Sequence, residues 1–260
     1  MSDLRTFERT LRRGAAPALT HNEAVPTPPQ PQAPPAQRIR TFHARNGRTT
    51  PRSTASLDRL WPRYGLDVSD GIIDLAHTFG PNTPVVLELG FGKGEGTAAT
   101  AKHHRETAIL AVDVHAPGVL ALLRLCEHDS LDNVRVIHGD GIAVLSDALG
   151  TESLAGIRAY FPDPWPKTRH HKRRLIRPDL VTLAARRIRP GGFFHTATDW
   201  PDYAEQMLAV LNAEPLLSND HDGFAPRPAN RPLTRYEKRG IAAGRQIYDL
   251  QFHRTETTPG

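Results

Sequence analysis

The sequence predicts an α/β fold: a doubly wound, mostly parallel sheet with an antiparallel edge strand. Two observations predict the parallel part. Short apolar runs alternate with segments of helical spacing, and Pro190-Gly191-Gly192 stands as a stop between the last such segment pair. A third, the late apolar run at 247–252, predicts the strand that closes the edge.

The elements follow in order. Runs 85–89, 108–112, 134–138, 157–161 and 192–198 are short and apolar, and several are rich in β-branched or aromatic residues. Between and after them, residues 97–105, 119–128, 141–149, 177–188 and 203–211 have helical spacing. Regular alternation of this kind implies right-handed crossovers and a sheet covered on both faces. Ligands of such sheets bind beyond the carboxyl ends of the strands, so the residues just after each strand are the candidates for function.

Ahead of this domain, assigned to 57–256, the composition changes. Residues 14–36 hold seven prolines and almost nothing that forms a core, so the head at 1–37 is expected to be disordered. No acidic residue occurs between Ala24 and Leu57, while Arg38, Arg40, Arg45, Arg48 and Arg52 do. The stretch 38–56 is therefore a basic arm: either a solvated linker or a segment that touches phosphates. The whole chain of 260 residues carries a net charge of +5. Its single cysteine, Cys126, excludes a disulfide framework and any multi-cysteine zinc site. No apolar run has the length of a membrane span, and residues 1–13 lack the apolar core of a signal peptide. A soluble, cytoplasmic protein that contacts no membrane is expected.

The first strand runs into Leu87-Glu88-Leu89-Gly90-Phe91-Gly92-Lys93-Gly94-Glu95-Gly96. Closely spaced glycines such as Gly90 and Gly92 permit a tight turn and let a ligand lie on bare backbone. A dinucleotide-binding turn wants a third glycine where Glu95 stands. Glu88 would repel a pyrophosphate, but it suits a ligand with positive charge, and S-adenosylmethionine carries a sulfonium and an ammonium. Asp113 ends the second strand, suited to accepting both ribose hydroxyls. Asp140 follows the third, either as an acceptor for the adenine amino group or as a helix cap. Acids after three successive strands favour the methyl donor over NAD.

The fourth strand leads into Phe161-Pro162-Asp163-Pro164-Trp165-Pro166-Lys167, and six Lys or Arg fall within the eleven residues 167–177. Prolines on both sides of Asp163 fix the backbone and give a rigid presentation. Asp163 can accept from the amino and imino groups of a base, with Trp165 or Phe161 as a stacking face; Trp165 reads equally as core filler. The basic run abuts this carboxylate and is expected to clamp phosphates. His170 and His171 lack partners at metal-site spacing, so no metal is expected.

Together, Val85 to Gly96, Asp113-Val114-His115-Ala116-Pro117-Gly118, the Phe161–Trp165 stretch with Lys167 and the cations from Arg169 to Arg174, Ala197-Thr198-Asp199-Trp200, and Arg231-Pro232-Leu233-Thr234-Arg235-Tyr236-Glu237 resemble the bacterial tRNA (guanine-N7)-methyltransferases in order and spacing. The resemblance covers roughly residues 38 to 252. It implies a class I methyltransferase fold with a seven-stranded sheet, S-adenosylmethionine as donor and no metal. The implied partner is tRNA, the implied target a guanosine in its variable loop, and the implied state a monomer or homodimer. It also implies roles. Glu88, Asp113, Asp140 and Asp163 match donor-binding acids, with Asp163 also at the catalytic position. Lys167, Asp199, Thr234, Arg235, Tyr236 and Glu237 match the substrate-binding positions. Arg169, His170, His171, Lys172, Arg173 and Arg174 match the segment that contacts RNA. Asp113 departs from the glutamate common in the family, one methylene shorter yet able to bridge a ribose diol.

Bland alternatives accompany three of these residues. Asp199 also reads as a cap on the helix after Trp200, and Thr234 with Glu237 as a capping box. Two other function classes share features of the chain. An NAD-dependent oxidoreductase would share the alternating fold but leave Glu88 and the basic run unexplained. A non-catalytic RNA-binding protein would explain the charge but not the acids at successive strand ends.

Overall fold

A computed structural model describes residues 50–68 and 71–256. The proline-rich head and the arm as far as Thr49 lie outside the described residues. Helix α1 (Pro51–Tyr64) begins inside the stretch assigned to the basic arm, so the folded domain starts earlier than residue 57. The cause is a complete capping box: the Thr50 hydroxyl accepts from the Ser53 amide, the Ser53 hydroxyl accepts from the Thr50 amide, and Pro51 sits in the first turn. Leu60 and Tyr64 bury one face of α1. Arg59 pairs with both carboxylate oxygens of Glu127, tying α1 to the next long helix but one along the chain.

A short helix α2 (Leu75–Phe79) leads to strand β1 (Val85–Leu89). Then follow α3 (Glu95–His103), β2 (Ala108–Asp113), α4 (Ala116–Asp129) and β3 (Val134–His138). Helix α5 (Gly141–Ala143) continues as a π-helical turn, Val144–Ala148, before β4 (Leu154–Tyr160). A 3-10 turn (Thr168–Arg173), α6 (Pro178–Arg187), β5 (Ile188–Thr198) and α7 (Pro201–Asn212) come next. The chain finishes with β6 (Leu217–Asn219), α8 (Arg235–Ala242) and β7 (Tyr248–Arg254).

The seven strands form one sheet in the order β3-β2-β1-β4-β5-β7-β6. Strands β1 to β5 pair parallel, while β7 runs antiparallel between β5 and β6. The doubly wound, mostly parallel sheet is as expected, but the antiparallel strand β7 does not close its edge: the short strand β6, not marked by any long apolar run, pairs outside it. Pro190-Gly191-Gly192 does not separate helix from strand, as its composition suggests. Leu154 pairs with Ile188 and Gly156 with Phe193, so the extra residues of β5 are absorbed as a bulge, with Gly191 at φ +73°.

The core lies on both sheet faces. Leu87, Leu110, Ile157, Phe194 and Leu250 pack with α6 and α7 residues such as Val181 and Met207 on one side. Ile109, Ala111, Val134 and Val136 pack with Leu60, Ala101 and Leu122 on the other. The central strands are buried on both sides, which is why they read as unbroken apolar runs. No helix among the described residues is long and apolar enough to cross a membrane.

Candidate active site

The turn after β1 is shaped by three glycines in the left-handed region: Gly90 at φ +78°, Gly92 at +61° and Gly94 at +76°. Two outside contacts hold it. The Asp113 carboxylate accepts from the Gly92 amide at 3.0 Å and from the His115 amide at 2.9 Å. From α4, Gly118 comes so close that a Cβ there would stand 2.0 Å from the Gly92 carbonyl oxygen. Above Gly90 the space is open, with no atom within 4 Å of where its Cβ would be.

Glu88 is buried at 7 % exposure and makes no direct ion pair among the described residues. Burial raises its carboxyl above the ordinary range, and Arg158, beside it on β4, opposes that shift. Burial likewise raises Asp113, against the amides that bind it. Asp140 accepts from the Ile142 amide at 3.0 Å and caps α5, so its helix-cap role is real. Because β3, β2, β1 and β4 are neighbours in the sheet, Asp140, Asp113, Glu88 and Asp163 stand at or just beyond the ends of four adjacent strands. An open glycine cradle beside a buried carboxylate that lacks a direct ion pair among the described residues fits a small ligand bearing positive charge, as S-adenosylmethionine does.

Asp163 itself is exposed, and its carboxylate accepts no hydrogen bond among the described residues. The residues two before and two after it, Phe161 at φ +52° and Trp165 at φ +46°, both hold left-handed backbone conformations costly for such side chains. Trp165 is core filler and not a stacking face. It is 4 % exposed, with the His170 ring edge-on at 5.8 Å and the Arg173 guanidinium 5.0 Å from its centroid.

The expected RNA contact at Arg174 needs correction. At 1 % exposure, its guanidinium donates to the Pro164 carbonyl (2.9 Å), to Gln206 (2.6 Å) and to Asp202, and lies over the Tyr203 ring. It braces the Asp163 loop from behind. Lys167, Arg169 and Lys172 are exposed, while His170, His171 and Arg173 are half-buried around Trp165 and Arg174.

Asp199 is not a cap: Trp200 holds the cap position before α7 with no side-chain cap bond, and Asp199 instead accepts from Arg245 at 2.7 Å. It lies against Gly240 of α8. Thr234 caps α8 by accepting from the Glu237 amide at 3.1 Å. The first turn of α8 leans on the glycine turn, with Thr234 beside Gly96 and the exposed Tyr236 ring beside Gly92. Arg235 is exposed. Glu237, expected on the substrate, is instead wholly buried, with both oxygens held by Arg231 at 2.8 Å and both also reached by Arg227, at 2.5 and 3.5 Å. It completes neither the capping box nor an open pocket wall.

Sequence reasoning missed the partners behind Glu237. Arg231 also donates to Asp249 at 3.0 Å, Asp249 meets His195 at 2.9 Å, and His195 meets the Tyr160 hydroxyl at 2.8 Å. These four residues come from β4, β5, β7 and the loop before α8. The only early signal was the place of Arg231 in its motif. A cavity of about 250 Å³ against the face of β4, β5 and β7 is lined by Arg158, Tyr160, His195 and Arg231, and none of the four acids lines it.

Residues 82–250 match a family model described as "Putative methyltransferase". A tRNA (guanine-N(7)-)-methyltransferase of Streptomyces coelicolor is 50 % identical over 254 residues, covering 93 % of each chain. The enzyme of the same name from Streptomyces avermitilis is 49 % identical, covering 92 % of this chain and 86 % of its own. That from Nitrosospira multiformis is 47 % identical, covering 85 % and 97 %. Among solved structures, the 16S rRNA methyltransferase KamB superposes with a TM-score of 0.53 at 14 % identity, covering 74 % of this chain and 99 % of its own. A 16S rRNA (adenine(1408)-N(1))-methyltransferase from Catenulisporales acidiphilia, solved with its cosubstrate, gives 0.51 at 13 % identity, covering 71 % and 92 %. At such identities these two bear on the fold alone.

Proposed function

The chain belongs to the tRNA (guanine-N7)-methyltransferase family, and from that membership we propose that it transfers the methyl group of S-adenosylmethionine to N7 of a variable-loop guanosine in tRNA, in the cytoplasm. The observation that carries the reading is the row of acids at the ends of four adjacent strands, ending at an exposed Asp163 beside a basic segment.

Glu88 faces the positive charge of the donor, Asp113 its ribose and Asp140 its adenine, over a turn whose glycines leave the backbone bare. The donor supplies a methyl group activated by the sulfonium; its carbon–sulfur bond breaks as the bond to N7 forms, moving positive charge onto the purine. No group on the chain has to act as a base, because N7 attacks through its own lone pair. Asp163 accepts from the guanine N1–H and exocyclic amine, and its charge stabilises the ring as positive charge develops. Its two left-handed neighbours and the Arg174 brace fix it before substrate arrives, so little reorganisation is left for the reaction step. Asp199, Thr234, Arg235 and Tyr236 complete the guanine site, and Glu237 supports it from beneath. Lys167, Arg169, His170, His171, Lys172 and Arg173 meet RNA phosphates.

Asp163→Ala tests the assignment. The resemblance also counts Asp163 among the donor-binding acids, but its exposed place beyond the strand end assigns it chiefly to guanine. Affinity for S-adenosylhomocysteine, read by calorimetry, should therefore stay within about threefold of the parent, while methyl transfer falls roughly 10²- to 10³-fold. Near-normal turnover with intact donor binding would show that Asp163 is not the catalytic carboxylate.

A further inference from the structure

We propose that Arg231, clamped by Asp249, is a positioning residue for methyl transfer: it sets the spacing between the loop that carries Asp163 and the first turn of α8. The inference rests on the guanine-N7 reading above and extends it to residues outside the substrate and donor sets.

Arg231 is 4 % exposed and reaches three elements at once. Toward α8 it makes a two-pronged pair with Glu237, both bonds at 2.8 Å. Toward β7 it donates from Nη2 to Asp249 at 3.0 Å, and its Nε lies 2.9 Å from the other Asp249 oxygen as an ionic contact without hydrogen-bond alignment. Toward β4 its guanidinium lies 5.5 Å from the Tyr160 ring centroid and 5.8 Å from that of Phe161. Phe161 leads through one proline to Asp163, and Glu237 is one residue from Tyr236, whose ring lies against Gly92. One planar fork therefore touches the base of both walls of the proposed guanine site.

Charge and burial support the assignment. Arg227 and Arg231 balance Glu237 and Asp249, while burial keeps His195 toward its neutral form against the pull of Asp249. A buried ion pair is a poor source of net stability, because desolvation offsets most of the attraction. What it supplies is direction: a guanidinium fork has one arrangement that satisfies two carboxylates, which a lysine ammonium does not reproduce. The Asp249–His195–Tyr160 chain then fixes the carboxylate in its turn.

The test uses the full-length protein with Arg231→Lys and, as a gentler isosteric change, Asp249→Asn. Each is measured for tRNA methylation kinetics, S-adenosylhomocysteine affinity and thermal midpoint, with kinetics taken well below the lower midpoint. The expected result is kcat reduced at least tenfold, with KM for tRNA and donor affinity within about threefold, because phosphate and donor contacts lie elsewhere. In Arg231→Lys, adding Asp163→Ala should cost much less than it does in the parent, since the geometry it serves is already lost. A folded variant of either kind with kcat within twofold of the parent, whatever its midpoint, overturns the proposal. Failure of the parent to form 7-methylguanosine overturns the underlying reading, and this inference with it. Product formation by the parent with unimpaired variants overturns this inference alone.

Discussion

Replacing Gly118 by alanine should damage donor binding although residue 118 belongs to a helix and is no expected ligand. The new Cβ would stand 2.0 Å from the Gly92 carbonyl oxygen, whereas real Cβ atoms essentially never approach a heavy atom below 3.0 Å. Either α4 or the glycine turn must therefore move by about 1 Å, and the atom in the way is backbone, with no rotamer to relieve it. Overpacking of this kind costs about 1–3 kcal/mol. The turn is the softer partner, so most of that cost should appear as lost donor affinity, about fivefold to a hundredfold. Gly90→Ala is the informative contrast: its Cβ meets nothing within 4 Å, and only the strain of φ +78° opposes it, about 1–2 kcal/mol. Calorimetric titration with S-adenosylhomocysteine, together with a thermal melt, reads both variants. If Gly118→Ala bound within twofold of the parent, the argument that α4 sets the shape of the turn would be refuted.

Arg174→Ala and Arg169→Ala should separate a brace from an RNA contact. Truncating Arg174 leaves the Pro164 carbonyl and the Gln206 side-chain oxygen without this donor, costing about 2 kcal/mol and lowering the midpoint by roughly 4–8 °C. Arg169→Ala should leave the midpoint alone and weaken tRNA binding with a shallower salt dependence. Equal midpoints for the two would contradict the buried role of Arg174. For Glu88 the sign runs in two directions. Its carboxyl is raised by burial, so the protonated form suits the folded chain; the stability it contributes is present at low pH and lost as pH rises through its folded value. Donor binding needs the charged form and should weaken as pH falls toward that raised value. Glu88→Gln should melt higher than the parent near neutrality, bind the donor poorly and lose that pH dependence; a donor affinity that is high and flat with pH in the parent would contradict this.

Much of the geometry behind the proposed donor side was legible in the sequence, because its signals are local. Short runs rich in β-branched and apolar residues marked β1 and β3 to the residue, and the acid near each strand end needed only the strand's position to be placed. The glycine turn declared itself by composition, although not its dependence on Gly118, which requires knowing that α4 packs against it. The acceptor side was less legible, since orientation there is decided by distant partners. Arg174 sits in a run of cations that looks uniformly solvated, yet Gln206 and Asp202 on α7 draw it inward. Glu237 sits where a capping box would use it, but Arg231 and Arg227 compete for its carboxylate and win. His195 and Asp249 meet only through the antiparallel register of β5 and β7, which no local pattern encodes. The start of α1 was not legible because Arg45, Arg48 and Arg52 give this stretch the composition of a solvated arm, whereas the Thr50-Pro51-Arg52-Ser53 box acts through only four residues.

The central claim is a reaction, and its product can be identified directly. Full-length protein incubated with S-adenosylmethionine labelled on the methyl group and with unmodified tRNA, followed by nucleoside mass spectrometry, should give labelled 7-methylguanosine mapped to the variable loop. A preparation that is folded and binds S-adenosylhomocysteine, yet yields label on another base or no labelled nucleoside, would contradict the account.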